Sequence, residues 1–374
     1  MASRGDMMRY YYIDFLRGAL MTVGVVYHAA LVVRAENPWA IKTLEQSEVY
    51  NAVAFALHSF RMHAFFLLSG FFAAMLINRM GTPAYLGKRL NRIAVPLLVA
   101  ALTLQLPAMI HRDWDTAFWL GGAWVGHLWF LGNLLVYMAA LAVSFPLFRR
   151  LCITLPYWLF AAAVAGLFMA ASVLAWKIPT SPWGNFWILV DFDQLLPYAA
   201  FFAAGAYLFL KPTVLEALHD WRLNLGLLVL SALIIGGLWE SNSGYRYFGY
   251  GLWALSVTGL LMGIARRLIN ENTWWVRFLG ESSYTVYLFH MPLLILGGGF
   301  FLTLNPHVFF VGAVVVVTTA CWALHRWLIS QSATLAYLYN GKPLPAGWGW
   351  KLGLGSKLPE APEAVQATKL SRAQ

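Results

Sequence analysis

The first long apolar stretch, YYIDFLRGALMTVGVVYHAALVV at residues 11–33, contains an arginine, Arg17, and a histidine, His28, among residues that suit a membrane. It is long enough to cross a hydrocarbon core of about 30 Å as one helix. At about 1.5 Å per residue, His28 lies roughly 16 Å beyond Arg17 along the axis, about half of that core. Because charged and titratable groups are costly inside a membrane, this pair indicates a functional site.

The composition of the chain is that of a multi-pass membrane protein. Of its 374 residues, 60% are hydrophobic and only 11% are charged, with a mean hydropathy of +0.63. Soluble domains carry about 25% charged residues. The net charge of +10 would suggest nucleic acid in a soluble protein, but here it reflects the excess of Lys and Arg that membrane proteins keep in cytoplasmic loops. We therefore expect a lipid bilayer, and no nucleic acid, as a partner.

Apolar runs of spanning length predict an all-α polytopic fold with ten transmembrane helices. The predicted spans are residues 12–33, 52–78, 93–110, 128–148, 155–176, 194–210, 223–239, 247–265, 284–303 and 308–329. Of the 26 Lys and Arg residues, those between spans on one side are only Arg34, Lys42, Arg112, Lys177 and Arg246. This bias predicts that both termini are cytoplasmic. We assign residues 1–340 to one transmembrane domain and residues 341–374 to a cytoplasmic, largely disordered tail.

The segments on the less basic side are acidic and rich in Trp, Asn and Gly. Their carboxylates are Glu36, Glu45, Glu48, Asp113, Asp115, Asp191, Asp193 and Glu240. Aromatic rings beside carboxylates and amides are a usual way to hold sugars, because the rings stack on C–H faces while the polar groups bond hydroxyls. The alternative is an interfacial aromatic belt, in which Trp and Tyr anchor the helix ends.

The first two predicted spans carry an unusual number of cationic groups. Asp14 precedes Arg17 by three residues, so the two can pair on one helix face; the alternative is an arginine that only anchors the helix end. His58, Arg61 and His63 lie together in the outer half of the second span. They repel one another unless an anion or acceptor lies among them, which predicts a polar cavity. Zinc is an alternative ligand, but without a Cys or carboxylate cluster we expect no metal.

Two further spans offer histidines to the interior. His127 opens the fourth span in HLWFLGNLLVY, and the ninth contains GESSYTVYLFHMPLL from residue 280. One polar stripe at helical spacing in the ninth span is formed by Ser283, Tyr284, Tyr287 and His290. A single buried histidine can be structural, but four spans that each present an imidazole indicate chemistry inside the bundle.

Several of these stretches resemble the membrane acyltransferase-3 family. The matching pieces are DFLRG with His28 ten residues beyond Arg17, FFLLSGFF at 65–72, RLNRIAVPLL at 89–98 and GESSYTVYLFH at 280–290. HSFRM at 58–62, HLWFL at 127–131 and NGKPL at 340–344 are most similar to the branch that adds succinyl groups to osmoregulated periplasmic glucans. The resemblance covers nearly the whole chain.

The resemblance implies a ten-helix core in the bacterial inner membrane, with Arg17 and His28 as the essential pair. It also implies a cytoplasmic acyl-CoA donor, succinyl-CoA in this branch, and a periplasmic glucan acceptor. We expect no bound cofactor, because acyl-CoA is a co-substrate. A glucan synthase and a second copy of the chain are further candidate partners.

Our hypothesis is an O-acyltransferase in which neutral His28 acts as general base on a sugar hydroxyl. The thioester passes Arg17, which Asp14 partners, and reaches the base. Candidate donors to the developing oxyanion are His63, His290 and Tyr287. Candidate substrate-binding residues are Arg89, Arg92, Arg149 and Arg150 for the phosphates of the donor, Arg61 for a succinyl carboxylate, and His58, His127 and Tyr287 in the same cavity.

Three alternatives stay open at the level of sequence. The acyl group can pass through a covalent acyl-enzyme, including an acyl-histidine. The reaction can be acetyl or other acyl transfer to a different envelope glycan or lipid. The chain can also be a proton-coupled transporter with a histidine relay, although it lacks the internal repeats and matched broken helices usual in transporters.

Overall fold

Long apolar helices make up nearly all of the structure. The computed structural model describes residues 11–35, 41–110, 116–120, 122–177, 186–187, 189–238, 244–269, 271 and 273–344. The helices are α1 (Tyr11–Val33), α2 (Val49–Met80), α3 (Thr82–Arg89), α4 (Val95–Ala100), α5 (Leu106–Met109), α6 (Thr116–Leu120), α7 (Trp129–Leu151), α8 (Tyr157–Lys177), α9 (Phe192–Leu210), α10 (Pro212–Leu218), α11 (Trp221–Gly237), α12 (Arg246–Leu268), α13 (Trp274–Gly298), α14 (Pro306–Trp327) and α15 (Ala333–Asn340). Two short strands, β1 (Phe186–Trp187) and β2 (Val190–Asp191), pair antiparallel ahead of α9.

The predicted polytopic all-α fold is confirmed. Within the described ranges, eight helical segments are long and apolar enough to cross a membrane, and α9 with α10, which meet at 117°, adds a ninth. The apolar helix α11 is shorter, at 17 residues. Each of the ten predicted spans overlaps one of these helical segments. The orientation of the termini stays a prediction, and Glu36, Asp113, Asp115, Glu240 and residues 345–374 lie outside the described part of the chain.

Two predicted boundaries are wrong for local physical reasons. α13 begins at Trp274, ten residues before the predicted start, because the Thr273 hydroxyl caps it by accepting from the backbone N–H of Val276 at 3.4 Å. The third predicted span is part of a longer stretch, Thr82–Met109, that two π-helical turns interrupt at Leu90–Ala94 and Ala101–Gln105. A proline follows each turn closely, and a π turn relieves the clash that proline makes with the preceding turn.

Glycines allow the helices that carry the candidate residues to approach closely. α1 packs along α13 and α2 packs along α9. A Cβ added at Gly18 on α1 would lie 2.5 Å from the carbonyl oxygen of Leu279 on α13. Gly70 of α2 and Gly205 of α9 likewise face each other's backbones. Small residues at such contacts are how membrane helices gain packing and van der Waals energy, and here they set the distance between α1 and α13.

Gly18→Ala is therefore expected to destabilise the protein, because the obstructing atoms are backbone atoms that no side-chain rotation can move. Overpacking of this kind typically costs about 1–3 kcal/mol. The matched control is Gly166→Ala in α8, where nothing lies within 4 Å of the new methyl group. Thermal unfolding in detergent should show a lower midpoint for Gly18→Ala only. Equal midpoints for both variants would mean that α1 and α13 are not in close contact.

Candidate active site

Three histidines from distant parts of the chain meet inside the bundle. His28 lies on α1, His290 on α13, and His127 in a 3₁₀ turn, Ala123–Leu128, that leads into α7. The ring centroids of His28 and His290 are 4.9 Å apart, those of His127 and His290 5.0 Å, and those of His28 and His127 6.3 Å. All three side chains are more than nine-tenths buried. The structure thus assembles three of the histidines that the sequence assigned to the interior.

The hydrogen bonds of this cluster define which nitrogen of His28 is basic. Nδ1 of His290 lies 2.8 Å from the carbonyl oxygens of Val286 and Tyr287. A carbonyl can only accept, so Nδ1 of His290 carries the proton and its Nε2 accepts. Nδ1 of His28, 2.7 Å from that Nε2, must then donate. In this arrangement Nε2 of His28 holds the lone pair, and His28 has the tautomer of a general base.

A reciprocal pair of hydrogen bonds holds His127 in place. Nε2 of His127 donates to the carbonyl of Tyr287 at 2.8 Å, and the Tyr287 hydroxyl donates to the carbonyl of His127 at 2.6 Å. The neighbouring Gly126 has φ 55° and ψ −131°, a backbone conformation that favours glycine. Because its hydroxyl proton is already donated, Tyr287 is better suited to position His127 and His290 than to serve as the predicted oxyanion donor.

Arg61 is a buried cation beside this cluster. Its side chain is 8% exposed, and its guanidinium carbon lies 4.5 Å from the centre of the Tyr27 ring. Gly24 makes room for it, since a Cβ there would be 2.7 Å from Nη1. Within the described ranges no carboxylate pairs with Arg61, and its Nε has no hydrogen-bond partner. A buried charge without a counterion is costly, so the site favours an anionic ligand.

The structure separates the two histidines of the second span. His58 stacks on Tyr27, with centroids 5.5 Å apart, and lies near Arg61 on one face of α2. His63 points to another side, where the rings of Phe168, Tyr198 and Phe201 surround it. The predicted role of His63 as an oxyanion donor beside His28 therefore has no support in the geometry. Among the described residues, no three His, Cys, Asp or Glu side chains are arranged to hold a metal ion.

Three adjoining cavities run through the part of the bundle that the structure describes. The central cavity, about 310 Å³, contains His28, His58, Arg61, His127 and His290 in its wall. A cavity of about 380 Å³ near the starts of α1 and α13, called here the inner cavity, shares four wall residues with the central cavity. A cavity of about 490 Å³ near the starts of α2 and α9, called here the outer cavity, shares His58 with it. The four residues between the inner and central cavities are Met21, Phe65, Phe130 and Tyr287. Only single layers of side chains therefore separate the three cavities.

The inner cavity is strongly basic. Arg17 lines it and pairs with Asp14 at 3.6 Å, as the spacing of the two residues predicts, and it donates to the carbonyl of Gly280 at 3.5 Å. The cationic residues of the wall are Arg17, Arg89, Arg92, Arg277 and Lys342. Arg149 and Arg150, also predicted to meet donor phosphates, are exposed at the end of α7 and do not line this cavity. The cationic wall and His28 thus belong to adjoining cavities.

The NGKPL turn after α15 holds one wall of the inner cavity. Gly341 has φ 57° and lies against the backbone of Arg92. A Cβ at this position would lie only 2.3–2.7 Å from three main-chain atoms of Arg92. Asn340 accepts from the Thr285 hydroxyl at 3.1 Å, and Lys342 lies 3.7 Å from Glu281. Residues 341–344, assigned to the tail from sequence, therefore include a buried glycine that supports the basic wall.

Sequence reasoning missed two residues of the site. Gln105 closes the second π-helical turn, is fully buried, and has no partner for either amide atom in the described structure. Its Nε2 would be 2.5 Å from a Cβ at Gly126, next to His127. Tyr27, the platform for Arg61 and His58, was the second. A lone glutamine between two prolines in an apolar span was the available signal for Gln105; Tyr27 had none.

Three buried histidines that line a cavity inside a multi-pass helical bundle are an arrangement suited to proton transfer. The chain belongs to the acyltransferase-3 family: the family model described as an acyltransferase domain matches residues 10–326. The protein is accordingly a membrane O-acyltransferase. This confirms the family resemblance inferred from the sequence.

Three similar proteins share one name. "Glucans biosynthesis protein C" of Shigella dysenteriae serotype 1 and that of Escherichia coli K12 are each 26% identical to this chain, over 90% of this chain and 95% of theirs. The protein of the same name from Salmonella paratyphi B is 24% identical with the same coverage. No solved structure gives a significant match.

Proposed function

We propose that this protein moves a succinyl group from succinyl-CoA, at the cytoplasmic face of a bacterial inner membrane, to a hydroxyl of a periplasmic glucan. The observation that carries the proposal is the order of the three cavities, of which the inner is basic, the central contains the histidines and the outer is aromatic. A reaction with donor and acceptor on opposite faces needs such an order. The name shared by the relatives supports a glucan as the acceptor.

The inner cavity suits the phosphates of coenzyme A. Guanidinium groups form bidentate, charge-assisted hydrogen bonds with phosphate oxygens. Arg89 and Arg92 lie close together in sequence in the wall of this cavity, to which α1 and α13 contribute Arg17 and Arg277. With its phosphates held there, the long, narrow pantetheine arm extends past Met21 and Phe65 and delivers the thioester to the central cavity.

The chemistry in the central cavity follows from the tautomer of His28. Its Nε2 takes the proton of the acceptor hydroxyl, and the oxygen attacks the thioester carbonyl. The tetrahedral intermediate collapses with cleavage of the C–S bond, and the imidazolium returns the proton to the departing thiolate, so that ester and free coenzyme A are formed. His290 is a positioning residue, because it fixes the His28 ring and its hydrogen-bonded carbonyls stabilise the imidazolium.

A succinyl donor accounts for Arg61. A succinyl group carries a carboxylate that an acetyl group lacks, and a planar guanidinium suits a carboxylate well. Arg61 lines the same cavity as His28 and has no carboxylate partner among the described residues. The acyl carboxylate would supply the missing counterion.

Acyl transfer by the purified protein tests the proposal. In detergent, with succinyl-CoA labelled in its succinyl carbons, we expect labelled ester on an added β-glucan, detected by mass spectrometry. Reactions without glucan, and with acetyl-CoA instead, are the controls. Release of free coenzyme A with no change in the mass of the glucan, or label found only in lipid, would contradict the proposed acceptor.

The proposed direction of transfer requires a cytoplasmic C-terminus, as the distribution of Lys and Arg predicts. A fluorescent protein fused after Gln374 should therefore fluoresce, and alkaline phosphatase at the same position should be inactive, because it folds only in the periplasm. The control is the same pair of reporters fused after Lys177, the last residue of α8. The distribution of Lys and Arg predicts that this residue is periplasmic, so the results should be reversed. An active phosphatase after Gln374 would exchange the donor and acceptor faces.

A further inference from the structure

The outer cavity is formed by the ends of four helices on the side opposite the basic inner cavity. It lies between the start of α2, the end of α8, and the starts of α9 and α12. At about 490 Å³ it falls in the range of about 300–1,000 Å³ that small-molecule sites occupy. His58 belongs to its wall and to that of the central cavity, so a ligand there would touch the reaction cavity at one point.

His63 gives this cavity an unsatisfied polar wall. It is 6% exposed, and neither of its ring nitrogens has a hydrogen-bond partner in the described structure. Phe168, Tyr198 and Phe201 hold the ring at centroid distances of 5.1, 4.9 and 4.7 Å. A buried polar group without a partner is costly to the folded protein. A neutral imidazole offers one donor and one acceptor, which point in different directions, so one hydroxyl group of a ligand can satisfy one of the two nitrogens.

The remaining wall combines aromatic faces with uncharged and acidic hydrogen-bonding groups. Trp176, Tyr247 and Tyr250 supply rings near the helix ends, and Asp193 and Gln194 supply a carboxylate and an amide. Rings stack on the C–H faces of a pyranose, while the polar groups bond its hydroxyls. A lipid acyl chain offers no hydrogen-bonding group to His63, Asp193 or Gln194. The wall therefore matches a sugar better than a hydrocarbon chain.

We propose that the outer cavity holds one glucosyl residue of the acceptor, with His63 bonded to one of its hydroxyls. His58, at the junction of the two cavities, then faces the hydroxyl that is presented to the central cavity. This inference rests on the proposed function for the identity of the acceptor. It assigns His63 to acceptor binding and removes it from the transfer step.

Equilibrium binding of a short β-linked glucose oligosaccharide, measured by saturation-transfer NMR on the full-length protein without any acyl donor, tests the site. His63→Phe keeps the aromatic packing and removes both nitrogens, and we expect binding at least about tenfold weaker. Trp176→Leu removes a ring that is 80% exposed and so does not threaten folding; we expect about three- to tenfold weaker binding. The matched control is Trp158→Leu, 67% exposed at the other end of α8, with unchanged binding.

The outcomes separate this site from the proposed reaction. Transfer assays should show a raised KM for the oligosaccharide in both cavity variants, with kcat changed less. Binding and KM like wild type in both variants would overturn the site even if succinyl transfer proceeds. His63-dependent binding in a protein that transfers no acyl group would keep the site and refute the reaction. A phospholipid that co-purifies with wild type and Trp158→Leu but not with His63→Phe or Trp176→Leu, without oligosaccharide binding, would assign the cavity to lipid and overturn the inference.

Discussion

His28→Ala is expected to lower the rate of acyl transfer by about 10²–10⁴, the usual loss when a general base is removed. In the proposed mechanism Nε2 of His28 is the basic nitrogen, because Nδ1 donates to His290 at 2.7 Å. The rate to measure is kcat for transfer from acyl-CoA to glucan, with equal amounts of purified protein. Gel filtration should match that of wild type, and a lower thermal midpoint is expected, because Nε2 of His290 loses its donor and the cavity is enlarged.

The control for His28 is His307→Ala. His307 accepts or donates one hydrogen bond with Tyr50 at 2.9 Å near the start of α14 and lines none of the three cavities. Its replacement should leave kcat unchanged. Replacing His290 by Phe should give a smaller loss than His28→Ala, because the base remains but its tautomer is no longer fixed. If His28→Ala kept activity within about threefold of wild type, the base would have to be another residue of the cluster, with His290 the first candidate.

The parts of the fold that were predictable are those that depend on local sequence. An apolar run must become a helix in a membrane because its backbone groups have no other partners there, so the ten segments could be located from hydropathy. The pairing of Asp14 with Arg17 follows from a spacing of three residues on one helix. Helix ends depend on caps such as Thr273, which hydropathy does not detect.

The parts that were not predictable depend on contacts between distant helices. Periodicity places His28 and His290 inside the bundle, but their hydrogen bond exists because Gly18 lets α1 approach α13. Similarly, Arg92 precedes an apolar run and Arg149 follows one, so hydropathy treats both as arginines at helix ends. The turn at Gly341 packs against the backbone of Arg92, and of the two arginines Arg92 lines the inner cavity. The separation of His63 from His58 was predictable in principle, since five residues on a helix are about 140° apart.

Arg61→Gln is expected to reduce succinyl transfer by roughly 10- to 150-fold, since a hydrogen bond to a charged group is worth about 1.5–3 kcal/mol. Transfer of acetyl, whose methyl group needs no cation, should fall much less. Arg61→Lys keeps the charge but loses the planar, bidentate geometry, so it should lie between Arg61→Gln and wild type for succinyl. The measurement is kcat/KM for succinyl-CoA and acetyl-CoA in one assay of each variant.

The energetics of the free protein sharpen this test. A guanidinium that is 8% exposed, stacked on Tyr27 and without a carboxylate partner in the described structure is a cost to folding, so Arg61→Gln should unfold at the same or a higher temperature than wild type. The control is Arg222→Gln. Arg222 also lies over an aromatic ring, that of Trp221 at 5.6 Å, but it lines none of the three cavities. An unfolding temperature of Arg61→Gln at or above that of wild type would mean that Arg61 serves a ligand and does not stabilise the fold. Equal losses for succinyl and acetyl donors, or a marked fall in stability, would instead mean that Arg61 holds the protein together and that another group receives the acyl chain.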